Sequence, residues 1–287
     1  IVIVITGIIA GTVAVFLRLP VQGYVDTAAR AELTDIADTA LRRMTRDLRL
    51  ALPNSIRLTT DGSGNKYLEL LLTKTGGRYL AEEDAAGTNF LNFSDPADLT
   101  FDVVGAMPAG EQAIVPNDFI VVYNLGPGQS PADAYADCGV IPGCNRARVA
   151  SAPAGNTVTL VSNPFAAQKS PTPPNDPLPM PSPRWRFQVV TTPVTYVCNP
   201  TAHTLTRYWD YAIQPTQPAS LASLASAPAW ATPKNALLAS SVNGCEFSLN
   251  NLVSVRTALI GLQLTLQNQA NGGSVVLFHQ VHVDNTP

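Results

Sequence analysis

Charge is what this chain has least of. Asp, Glu, Lys and Arg make up 14% of its 287 residues, where soluble domains commonly carry about 25%. The 21 acidic residues outnumber the 18 basic ones, for a formal net charge of −3. No basic excess therefore draws the chain to nucleic acid. Histidine occurs only three times. CxxC, HExxH, a nucleophile elbow, a Walker loop and GxGxxG are all missing. Their absence removes the usual sequence grounds for a zinc centre, a serine hydrolase, a nucleotide-binding loop or any cofactor, and the chain reads as a non-enzyme. Lys is scarcer than Arg, and Ser, Thr, Asn, Ala and Pro fill the gap. The result is a weakly charged, neutral-polar surface of the kind more common outside the cytoplasm.

Cysteine is sparse but even in number: Cys138, Cys144, Cys198 and Cys245. Four thiols behind an export-type start suggest disulfides, with three possible connectivities. Cys138–Cys144 and Cys198–Cys245 is the favoured pairing, because the first two bracket a short Gly/Pro loop, CGVIPGC. A metal site needs thiolates and imidazoles clustered at short spacing, which this sequence lacks.

What the chain does have is a greasy beginning. Residues 1–17 read IVIVITGIIAGTVAVFL without a charge, then Arg18 and Pro20 follow. A membrane-spanning helix needs about 20 apolar residues, so the run sits at the short edge. It lacks the basic start and small-residue cleavage site of a signal peptide. The chain opens on Ile1 rather than Met, and part of the hydrophobic segment is expected upstream. Gly7 and Gly11 form GxxxG, a spacing that lets a second helix approach closely. Ile1, Val4, Ile8 and Val15 join them as expected membrane or helix-packing positions. Pro20 removes a backbone donor, so a kink or melted turn is expected there.

Residues 18–52 change character. Leu33, Ile36, Ala37, Ala40, Leu41, Met44, Leu48 and Ala51 recur at spacings of three and four, one stripe of an amphipathic helix. A helix over 1–52 would be roughly 78 Å long. Asp38 precedes Arg42 by four residues, a favourable helical pair. Arg42, Arg43, Arg46 and Arg49 crowd the C-terminal end, where the helix dipole favours cations. Such a cluster can bind phosphate, but the reading adopted is a solvated face.

After Pro53 the periodicity shortens to that of strands. They are expected over 55–59, 66–73, 99–104, 118–125, 157–162, 184–191, 194–198, 204–210, 236–242, 245–249, 258–268 and 274–284. Loops are expected over 126–154, 163–184 and 214–235, the second a proline-rich connector. His279 and His282, three apart on a strand, face opposite sides and cannot share a metal. His203 lies in a turn. Asp133 and Asp137 offer too few oxygens for calcium and read as a solvated loop. Trp185, Trp209 and Trp230 fit core packing, with a ligand surface as the other use of such residues.

Several stretches carry a family likeness: YVDTAARAEL and RRMTRDLRLALPNSIRL in the helical part, then VTYVC, TLTRYW, NGCEFSL and VVLFHQVHVDNTP near the C-terminus. With the glycine-flanked apolar run, they make the chain resemble the type IV pilin and pseudopilin superfamily. It is most like MshO-type minor pilins of the mannose-sensitive haemagglutinin pilus system, and also similar to PilW-type minor pilins and J-type minor pseudopilins of type II secretion. The likeness is thin over 61–184. The family's leader, cleavage glycine, first-position Phe and nearby Glu would sit upstream of Ile1. The expected fold is α+β, a long N-terminal helix (1–52) packed on an antiparallel β-rich domain (53–287). The resemblance implies a structural subunit that joins a pilus-like filament through its helix, with other pilins or pseudopilins as partners. It further implies processing by prepilin peptidase with methylation, and single-pass storage in the bacterial inner membrane with the globular part in the periplasm. The alternatives are a pilus-associated adhesin whose β domain holds a surface ligand, a J-type minor pseudopilin, and a protein anchored permanently by one membrane span.

Overall fold

Helix α1 (Val2–Arg49) opens the chain and continues through Pro20, so the turn there is not melted. It belongs to a computed structural model that describes residues 1–80, 82–139, 143–169, 179–226, 231–251, 257–269 and 272–287; for residues 14, 15, 17–21 and 251 it describes the backbone alone. Basic Arg46 and Arg49 close the helix, where its dipole favours cations. Leu52 then donates to the Leu71 carbonyl and Thr73 to the Leu50 carbonyl, which ties the helix end to the first sheet.

Among the described residues twelve strands follow: β1 (Arg57–Thr60), β2 (Lys66–Arg78), β3 (Thr100–Asp102), β4 (Phe119–Val121), β5 (Arg146–Arg148), β6 (Thr157–Thr159), β7 (Arg186–Asn199), β8 (Thr204–Trp209), β9 (Lys234–Ser240), β10 (Val242–Asn251), β11 (Thr257–Gln267) and β12 (Ser274–Asp284). A four-residue helix, α2 (Leu221–Leu224), sits between β8 and β9. Seven strands form one antiparallel sheet in the order β1-β2-β7-β4-β5, with β8 on β7 and β9 on β8. A second sheet runs β10-β11-β12, and β3 pairs β6 in a third.

The long central strand β7 contains Pro193, which has no N–H to give a ladder. It is tolerated because the ladder is interrupted there. On one edge β4 pairs as far as Val190 and β8 starts at Val194. On the other edge the register of β2 shifts between Leu71 and Thr73. Proline suggests two strands, 184–191 and 194–198; the chain makes one.

The last third of α1 lies between the seven-stranded sheet and the β10-β11-β12 sheet. Leu33, Ala37, Ala40, Leu41, Met44 and Leu48 are buried against Leu68 and Leu70 of β2, Val194 and Tyr196 of β7, Leu205 of β8, and Ile260, Leu262 and Leu264 of β11. Val281 and Val283 of β12 complete this core. Each fully buried Leu or Met here contributes about 1.5–3 kcal/mol. A second core of Tyr79, Phe93, Phe101, Ile120, Phe165 and Phe187 fills the end of the molecule that holds β3, β5 and β6.

Two expectations are corrected. The fold is not the expected α+β arrangement of a long N-terminal helix, 1–52, packed on an antiparallel β-rich domain. The described chain is mostly antiparallel sheet, and the buried stripe of large side chains on α1 begins only at Leu33, with Asp26, Ala29 and Arg30 lining a pocket beside Asn268, Gly272 and Gly273. The membrane-spanning segment at 1–17, and with it the single-pass inner-membrane location, is also overturned: among the described residues no helix is long and apolar enough to cross a membrane. The apolar run is shorter than the roughly 20 residues a bilayer core asks for, and Arg18 and Pro20 end it.

Candidate assembly interface

The features that set α1 in place are ionic as well as apolar. Asp47 lies on the buried face of the helix and is 2% exposed. Its Oδ2 accepts from the Tyr196 hydroxyl at 2.7 Å and from Arg207 Nε at 2.8 Å. Arg43, one turn back, approaches Oδ1 at 3.5 Å. Tyr196 and Arg207 are cross-strand partners on β7 and β8, so one carboxylate pins the helix to two neighbouring strands. Arg207 in turn stacks on the Trp209 ring at 4.8 Å. Burial, with the Asp47 carboxylate second, pushes the Tyr196 hydroxyl well above the usual tyrosine range.

A second ionic cluster lies across the same sheet. Glu69 of β2 is fully buried and takes both Nε and Nη2 of Arg57 at 2.8 and 2.5 Å. The Tyr211 hydroxyl donates to its other oxygen at 2.7 Å. Arg57 also donates to the Gln214 and Pro215 carbonyls and lies 3.5 Å from the Tyr135 ring centroid. Tyr135 bonds the Ser55 carbonyl. These contacts hold the loop after β8 and the 126–139 excursion onto β1 and β2.

What remains available is the first part of α1. Ile1, Val2, Ile3, Val4, Ile5, Ile8, Ile9, Val13 and Phe16 are all at least half exposed. A Cβ on Gly7 or Gly11 would meet nothing within 4 Å, so the GxxxG face is open. The hydroxyls of Thr6 and Thr12 bond carbonyls three and four residues back. The rod thus presents apolar surface whose few hydroxyls are already satisfied, which suits dry packing against another helix. Ile1, Val4 and Ile8 lie on it; Val15 and Pro20 belong to the same helix, and their side chains fall outside the described residues.

The other positions marked in the sequence have structural surroundings. Cys138–Cys144 closes the short loop, and Cys198–Cys245 ties β7 to β10. His279 faces the helix, 3.8 Å from Asp38, while His282 is exposed on the opposite face of β12. His203 bonds the Val242 carbonyl from a turn at φ 55°. Asp133 accepts from the Gly128 and Tyr135 backbone N–H groups, and Asp137 from Gly139. Trp185 packs edge-on to Tyr79. Trp230, and the strictly proline-rich part of the connector, lie outside the described residues.

Sequence reasoning missed Asp47, Arg207, Arg57 and Glu69 as organising residues. A charged residue between two stripe positions was the only signal at Asp47. No protein-family model, characterised protein or solved structure matches the chain.

Proposed function

We propose that this chain is a structural subunit, a minor pilin or pseudopilin, that enters a type IV pilus-like filament through the first part of α1. One observation carries the reading. A rod of about 36 Å, from 1.5 Å for each of residues 1–24, stands clear of the sheets with its described apolar side chains exposed, while its other end is locked into the sheets by the leucine stripe and Asp47. Isolated apolar helices of this kind gain by burying surface against like helices, at about 25 cal/mol per Å². Small residues at Gly7 and Gly11 let the backbones come close. The partners this implies are other pilin-like subunits contributing equivalent helices. The sequence resemblance supports the same class.

The test is co-assembly. Ile8→Asp places a charge on the exposed rod without touching the β body. Affinity isolation of the wild-type chain from its native cell should bring down pilin-like subunits, and the variant should lose them with its thermal unfolding unchanged. An Ile8→Asp chain that still co-isolates with those subunits would defeat the reading.

A further inference from the structure

Beside the anchored end of α1 runs a groove of about 670 Å³, lined by Asp38, Arg42, Thr45, Arg46 and Arg49 of the helix with His279 and Gln280 of β12. Arg42 is paired with Asp38 at 2.6 Å. Arg46 and Arg49 are exposed, and among the described residues neither has a carboxylate partner. The groove is therefore net basic in a chain that is net acidic. Its floor includes the Thr45 hydroxyl, buried and without a hydrogen-bond partner. Its outer wall is β12, the end strand of its sheet. Among the described residues no strand pairs with its other edge, so an incoming extended segment would find backbone groups as well as cations.

The complementary feature is on the same chain. Glu82 and Glu83 are exposed in the loop after β2, and among the described residues neither forms an ion pair. Asp84 beside them is occupied, accepting from Ala86 and from the Thr88 backbone and hydroxyl. Within one copy these charges do not meet. The helix end joins β2 at Thr73, and the loop begins beyond Arg78, roughly 16 Å further along the strand at about 3.3 Å per residue.

We infer that the α1–β12 groove receives the Glu82 and Glu83 loop of a second copy of this chain. Two different patches that complement each other make a heterologous, head-to-tail contact, and such contacts propagate into open rows when they do not close a ring. The inference extends the filament reading but uses residues that reading does not need.

Charge reversal tests it. Full-length chains carrying Ile8→Asp, so that the free rods do not associate, are compared in detergent at low salt by sedimentation velocity. Added Arg46→Glu/Arg49→Glu, or added Glu82→Arg/Glu83→Arg, should each weaken self-association about tenfold or more, the scale of like-charge juxtaposition. An equimolar mixture of the two reversed chains should recover it, since each then offers what the other lacks. Mixing Arg46→Cys with Glu83→Cys chains should give an interchain disulfide that neither forms alone. Wild-type-like association of either reversed chain, a mixture that stays dissociated, or no mixed disulfide would overturn the contact. These results are read in the Ile8→Asp background, so failure here leaves the helix-assembly reading standing, and failure of the co-isolation test leaves this contact standing.

Discussion

At the scale of single residues, the most consequential side chain is Asp47. Replacing it with Ala would leave Arg207, 8% exposed, as a buried cation facing an unpaired Tyr196 hydroxyl. Removing one partner of a buried ion pair costs about 3–5 kcal/mol, and chemical denaturation of Asp47→Ala should show a loss of that size. The tyrosines make a second prediction. Burial pushes the hydroxyls of Tyr79, Tyr135, Tyr196 and Tyr211 up, and burial with the Asp61 carboxylate pushes Tyr67 up to about 12. An unfolded tyrosine loses its proton near pH 10, while the folded ones keep theirs. The folded state then binds more protons, so stability falls as pH rises above about 10. Phenolate absorbance from these residues should appear together with loss of near-ultraviolet circular dichroism, not before it.

Among elements, the legible ones were those with an unbroken period. The stripe from Leu33 to Leu48 repeats every three to four residues, and its large members are buried. The hairpin β11–β12 alternates and pairs without a register shift. Two elements were hidden for physical reasons. β5 is three residues inside a Gly/Pro loop, too short to show alternation, and it exists because β4 offers it an edge. β7 was divided at Pro193, whose missing donor is harmless only where two partner strands abut. The Asp47 site was illegible because its partner Arg207 is 160 positions away; locally, Asp47 looks like one more charge among the arginines. At this scale Leu41→Ala or Leu48→Ala should cost about 2–5 kcal/mol, measured by urea titration. Replacing both Cys198 and Cys245 by Ala should cost up to about 4 kcal/mol, the chain-entropy value for the 47-residue separation they close.

Across the whole molecule, the chain divides by function rather than by length. Residues 33–287 hold the cores, the ionic clusters and both disulfides, whereas the described side chains of 1–28 are exposed throughout. A chain beginning at Gly23 should therefore keep the full chain's unfolding free energy within about 0.5 kcal/mol, the scale of surface changes, and should no longer co-isolate with pilin-like subunits. A larger loss would place part of the core in the segment removed.

The location of the Asp47 clamp has a mechanical side. It sits two residues before the helix stops, at the far end from Ile1, with the leucine stripe ahead of it. A pull applied to the tip along the helix axis loads the stripe and the Asp47–Arg207 link in parallel, as shear, so they must give way together rather than one after another. The β body is then a towed load on a rod fastened at its deep end. The first part to yield under tension is the exposed helical turns ahead of Asp26, which can stretch while the sheets behind them stay closed.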